Sequence, residues 1–94
     1  MTNEQMLNMA KRVVHNYFNN HRDVTDPPLE MGDIFIVWFC KTLQNWKALV
    51  STTVRDGIYY EVTYNGDRRE TYLDVYKKWD NMIVEDETRC LMEE

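Results

Sequence analysis

Seven apolar residues in a row, Ile34 to Cys40 (IFIVWFC), constrain this 94-residue chain more than any other feature. A strand with one face in a core and one in water alternates apolar and polar residues, and this run does not. If Ile34, Ile36, Trp38 and Cys40 face a core, then Phe35, Val37 and Phe39 point the other way. Such a segment needs cover on both sides or a surface meant for contact, because a bare apolar edge strand invites aggregation. Three arrangements satisfy it. One helix covers each face; or the strand lies inside the sheet in a different strand order; or Phe35, Val37 and Phe39 form a patch that meets another chain.

The rest of the chain supplies the partners. Thr2-Asn3-Glu4-Gln5 has the spacing of a capping box, and Met6, Ala10, Val13, Val14, Tyr17 and Phe18 then recur at helical intervals. This predicts an amphipathic helix over 3–20. Pro27 and Pro28 place a loop before the apolar run. Segments 34–41, 46–54 and 58–64 are rich in β-branched and aromatic residues and read as three strands. A three-residue loop Arg55-Asp56-Gly57, with Gly57 left-handed, sets Val54 opposite Ile58, Thr52 opposite Tyr60 and Val50 opposite Val62. It gathers Trp46, Ala48, Val50, Val54, Ile58, Tyr60, Val62 and Tyr64 on one face. A similar loop is expected at Leu43-Gln44-Asn45.

Asn65-Gly66 has the composition of a two-residue type I′ turn. Such a turn sets Glu70 against Glu61, an unfavourable pair, so the return strand is expected to be a stub over 67–70. Tyr72, Val75, Tyr76, Trp79, Met82 and Ile83 keep helical spacing and predict a second helix over 71–84, followed by an acidic tail over 85–94. The reading is a single α+β domain of order α-β-β-β-(β)-α, an antiparallel meander packed with an N-terminal and a C-terminal helix.

Composition narrows the function. With 44% apolar and 29% charged residues the chain is of the folding, globular kind. A formal net charge of −5 weighs against broad attachment to nucleic acid or to an anionic membrane, which needs a basic field. No stretch reaches the ~20 apolar residues of a membrane-spanning helix. Lys11 and Arg12 follow the first apolar residues, the wrong order for a secretory signal. Two cysteines without metal-ligand spacing, Cys40 and Cys90, suit a reducing cytoplasm.

No chemistry-bearing constellation emerges. His15 and His21 lie six apart, off one helical face, and no Cys or carboxylate pair completes a metal set. Cys40, among Val37, Trp38 and Phe39, reads as a small buried hydrophobe rather than a thiolate nucleophile. Asp23, Asp26, Asp56, Asp67 and Asp74 suit turns and helix starts. No phosphate-binding glycine loop or nucleophile elbow occurs. The expectation is no catalytic residue, no metal and no cofactor. Arg68, Arg69, Lys77 and Lys78, with Tyr59, Tyr64, Tyr72 and Tyr76 nearby, offer an alternative: a small patch that stacks and neutralises single-stranded nucleic acid.

The words WFCKTLQN, YYEVTYNGD and YLDVYKKW, within residues 37–81, resemble a family of small phage and prophage proteins of Gram-positive bacteria with no assigned activity. The resemblance implies an accessory protein in the cytoplasm of a bacterial host and brings no site residues. The expected function is a non-enzymatic protein-interaction module. Its patch is Phe35, Val37 and Phe39, with Leu49 and Tyr59 as neighbours, and it binds a protein partner or a second copy of itself.

Overall fold

The computed structural model describes residues 1–84. Helix α1 runs Asn3–His21, a short 3-10 turn Met31–Asp33 follows, and four strands complete the order: β1 Ile34–Thr42, β2 Asn45–Thr52, β3 Ile58–Asn65 and β4 Glu70–Lys77. The sheet is antiparallel with order β1-β2-β3-β4.

The first helix begins where its sequence says. Thr2 accepts from the Gln5 N–H at 3.1 Å and its own N–H donates to Gln5 Oε1 at 2.8 Å, closing the capping box. Met6, Ala10 and Val14, one turn apart, are buried against Leu29, Ile34, Trp46, Ala48, Val50, Tyr60 and Val62. The helix packs across β1, β2 and β3. A helix is about 10–12 Å wide and four strands at about 4.8 Å spacing are wider still, so one helix leaves the last strand less covered. β4 is accordingly exposed along nearly its whole length.

Loop 22–30 is tied back by one side chain. Asn19 Nδ2 donates to the Leu29 carbonyl at 3.1 Å, and the Leu29 N–H donates to Asn19 Oδ1 at 2.8 Å. This two-way clamp holds the Leu29 side chain, 4% exposed, in the core. Asn19→Ala removes both bonds and strands two partly buried backbone groups, a loss of about 2 kcal/mol. A fall in melting temperature on the order of 10 °C is expected, read by circular dichroism. Asn19→Asp, which keeps only the acceptor, should fall between the two.

Four expectations are corrected. The segment predicted as a helix over 71–84 is β4 as far as Lys77, and the stub over 67–70 becomes the turn and the start of that strand. Thr71, Tyr72, Val75 and Tyr76 favour strand, and their pairing with β3 supplies backbone partners that a lone helix would not need. The Asn65-Gly66 turn is not a two-residue type I′ turn. Asn65 pairs with Glu70 across four residues, Asn65 Oδ1 accepts from the N–H groups of Asp67 and Arg68, and Arg69 takes the left-handed φ of 54°. Glu61 therefore faces Asp74 and not Glu70.

The other two corrections concern loops and register. The first hairpin loop is the two residues Leu43-Gln44, with Leu43 at φ 56°. In the second hairpin Val50 pairs with Tyr60 and Ala48 with Val62, two residues off the expected register, because β2 stops at Thr52 and the connection is longer. A shift of two preserves which paired side chains face the core; Val54, expected on that face, lies beyond the end of β2 and is exposed. Gly57 is left-handed, φ 71°, as expected. The acidic tail over 85–94, with Cys90, lies outside the described residues.

Tyr60, in the core beside Tyr17, carries a pH signature. Burial first, then the Asp56 charge and the Tyr17 phenol, push its pKa above the ordinary value. The folded state thus keeps a proton that the unfolded chain releases near pH ~10. This group's contribution to stability is complete below that pH and is lost as pH rises through the raised value. Tyr60→Phe should show a smaller fall in urea midpoint than the wild type between about pH 9 and 11. Equal falls would assign the alkaline limit to other groups.

Candidate functional site

The apolar run solves its placement with a β-bulge. Ile34 and Ile36 pair with Thr52 and Val50 on the helix side, but the register shifts between Ile36 and Trp38. One extra residue at Val37 reverses the alternation beyond it. Trp38 then pairs with Leu49, Phe39 with Ala48 and Cys40 with Lys47. Phe39 therefore turns inward against Trp46, ring centroids 6.0 Å apart, and packs on the core. Trp38 and Cys40 turn outward and are exposed.

This corrects three expectations. Phe39 belongs to the core and leaves the patch, Trp38 replaces it on the outer face, and Cys40 is not buried. Neither of the first two arrangements for the run is observed. β1 is at the sheet edge, and among the described residues no second helix covers the outer face.

That face carries three rows of side chains across the strands, read from the pairing. One row holds the pairs Phe35–Ser51 and Tyr59–Tyr76, just past the last β2–β3 pair; the next holds Trp38, Leu49, Glu61 and Asp74; the third Cys40, Lys47, Thr63 and Tyr72. Phe35 is 47% exposed, Trp38 42%, Tyr72 49% and Tyr76 51%, while Leu49 and Tyr59 are half-buried among them. Val37, at the bulge, is exposed as well. Four of the five residues expected in the patch are thus at or beside this face.

The charges are few and ordered. Lys47 pairs with Glu61 at 3.2 Å across the middle of the face. Glu61 and Asp74 stand directly opposite each other, and among the described residues Asp74 has no ion-pair partner. The Tyr72 hydroxyl donates to the Glu70 carboxylate, which with that negative charge raises the phenol's pKa. Lys78 Nζ lies 5.6 Å from the centre of the Tyr59 ring, a cation–π contact. A shallow depression of about 360 Å³ lies between Trp38, Cys40, Lys47 and Thr63.

The alternative basic patch is not assembled. Arg68 and Arg69 occupy the β3–β4 turn, and Lys77 and Lys78 sit at the other end of β4. An eight-residue strand separates them, about 25 Å. Two carboxylates lie on the face between them, which is poor ground for a phosphate backbone. His15 is occupied by Asn19 at 3.2 Å, and His21 stacks on Tyr17 at 4.1 Å. Among the described residues no three His, Cys, Asp or Glu side chains come together as metal ligands. No helix among them is long and apolar enough to cross a membrane.

Among the described residues, one helix on one face of a four-stranded meander, with no element on the aromatic outer face, defines a small two-layer α+β protein. Within that class the chain belongs to a family of unknown function, DUF6275, whose model matches residues 7–86. No curated protein and no solved structure matches it.

Proposed function

We propose that this protein is a non-enzymatic protein-interaction module that binds through the open face of its sheet. One observation carries the reading: Phe35, Trp38, Leu49, Tyr59, Tyr72 and Tyr76 share a face that α1 does not reach. Exposed aromatic and aliphatic groups gathered on one face, interleaved with a few charges, are the composition protein interfaces favour. The motif resemblance noted above supports a setting, an accessory protein of phage or prophage origin in the bacterial cytoplasm. Nucleic-acid binding has less support, since its four cationic residues lie at opposite ends of β4.

The test pairs capture from a bacterial lysate, with and without nuclease, with light scattering of the purified protein. Phe35→Ser with Trp38→Ser, both at half-exposed positions, should keep cooperative unfolding. The expected result is a stoichiometric protein partner, or a self-association, that the double variant loses. If both proteins behave alike in both measurements, or capture vanishes with nuclease, the outer face is not a protein interface.

A further inference from the structure

We propose that the open face is occupied by a second copy of this chain, which lays its residues 79–84 across it while receiving the same segment in return. The proposal rests on the reading of that face as a protein interface and names its occupant.

The segment and the face have matching defects. Beyond β4 the chain exposes Trp79 by 98%, Met82 by 68%, Ile83 by 86% and Val84 by 60%. A tryptophan left almost wholly in water is unusual, because its burial is worth more than that of most side chains. The Lys78 N–H donates to the Gly57 carbonyl at 2.7 Å, so the ladder continues one residue past β4. Among the described residues, 79–84 belong neither to the core cluster nor to the side chains packed against it. The face, for its part, exposes close to half of Phe35, Trp38, Tyr72 and Tyr76. A shallow depression bordered by Trp38, Cys40, Lys47 and Thr63 opens at the hairpin end of the face.

Reciprocal exchange closes as a two-fold dimer, with the same surface given and received by each copy. Burying the four apolar side chains of the segment and the exposed halves of the face aromatics removes roughly 1,000 Å² per copy. That is about 2,000 Å² in total, within the range of specific, stable interfaces.

The experiment is sedimentation velocity on the full chain from about 1 to 200 µM. Two variants accompany it: Trp79→Ser with Ile83→Ser in the segment, and Phe35→Ser with Trp38→Ser on the face. Trp79 and Ile83 are so exposed that their loss should leave the fold of one copy intact, checked by an unchanged circular dichroism spectrum. The wild type should dimerise, and each variant should raise the dissociation constant more than about tenfold. Mixing the two variants should restore association, because a mixed pair retains one intact segment on one intact face. A monomeric wild type, a dimer indifferent to the segment variant, or a mixture no tighter than its components would each overturn the proposal. A monomer that still captures a partner through Phe35 and Trp38 would overturn the second copy alone and leave the interface reading standing.

Discussion

Trp46→Ala is expected to cost about 3–5 kcal/mol, the largest loss of any single truncation in this fold. Trp46 is 3% exposed, stacks on Tyr64 with centroids 5.6 Å apart, and meets Phe39 at 6.0 Å. These three rings fill the helix side of the sheet at the end where α1 begins. Removing the indole leaves a hole that neither neighbour can fill, since both are held by strand pairing. A domain of this size has roughly 5–15 kcal/mol in all, so the variant should be partly unfolded at 37 °C. Trp46→Phe offers a sharper comparison. The buried Nε1 has no hydrogen-bond partner among the described residues, and phenylalanine removes that donor along with some volume. Its loss should be about 1–2 kcal/mol, well below that of alanine. Urea unfolding followed by circular dichroism measures both. If alanine proves as mild as phenylalanine, the ring cluster does not hold that end of the sheet.

What the sequence reveals depends on whether a segment carries one signal or two. Helix α1 is legible because the Thr2–Gln5 box and the Met6, Ala10, Val14 spacing agree. The core side of β2 and β3 is legible because Lys47, Ser51, Glu61 and Thr63 interleave the apolar residues, so a two-residue error in register leaves every paired side chain on its proper face; Val54 is misplaced because it lies past the end of β2. β4 carries two conflicting periods. Tyr72, Val75, Tyr76 and Trp79 fit a helix, whereas Leu73 and Val75 alternate with Tyr72, Asp74 and Tyr76 as in a strand. Pairing with β3 decides between them, and that is a tertiary fact.

The bulge is the harder case, and it governs the candidate site. In IFIVWFC every residue is apolar, so no polar marker records where the alternation reverses. The sequence thus says that one set of large side chains faces outward without saying which set it is. Phe35 is assigned correctly because it precedes the bulge; Phe39 and Trp38 exchange places because they follow it. Leu49 and Tyr59 were legible as outward residues for the opposite reason, each being apolar among polar neighbours on its strand. Leu43, 78% exposed with φ 56°, had no signal at all. A leucine in the left-handed region is held there by the hairpin and not by its own preference.

Gly66→Ala should destabilise the protein by about 2–4 kcal/mol, although Gly66 has no left-handed φ to protect. Its constraint is space. The β3–β4 turn docks on the β1–β2 turn, where the Gly66 N–H donates to Asn45 Oδ1 at 2.8 Å and Gln44 Nε2 donates to the Asp67 carboxylate. A Cβ on residue 66 would fall onto the Gln44 carbonyl oxygen, with Gln44 Cβ and Cγ each 2.7 Å away. The carbonyl belongs to a two-residue loop and cannot withdraw without unpairing Thr42 from Asn45. The two turns must then separate, which sacrifices both bonds and loosens the β1–β2 hairpin that carries Trp38 and Cys40. Gly32 is the internal control. A Cβ there meets nothing within 4 Å, so Gly32→Ala should be neutral or stabilise by about 0.5 kcal/mol through the unfolded chain. The same substitution at two glycines thus separates packing from intrinsic propensity, with urea midpoints as the readout. If Gly66→Ala is as silent as Gly32→Ala, the two turns are not docked, and the hairpin end of the open face is held by strand pairing alone.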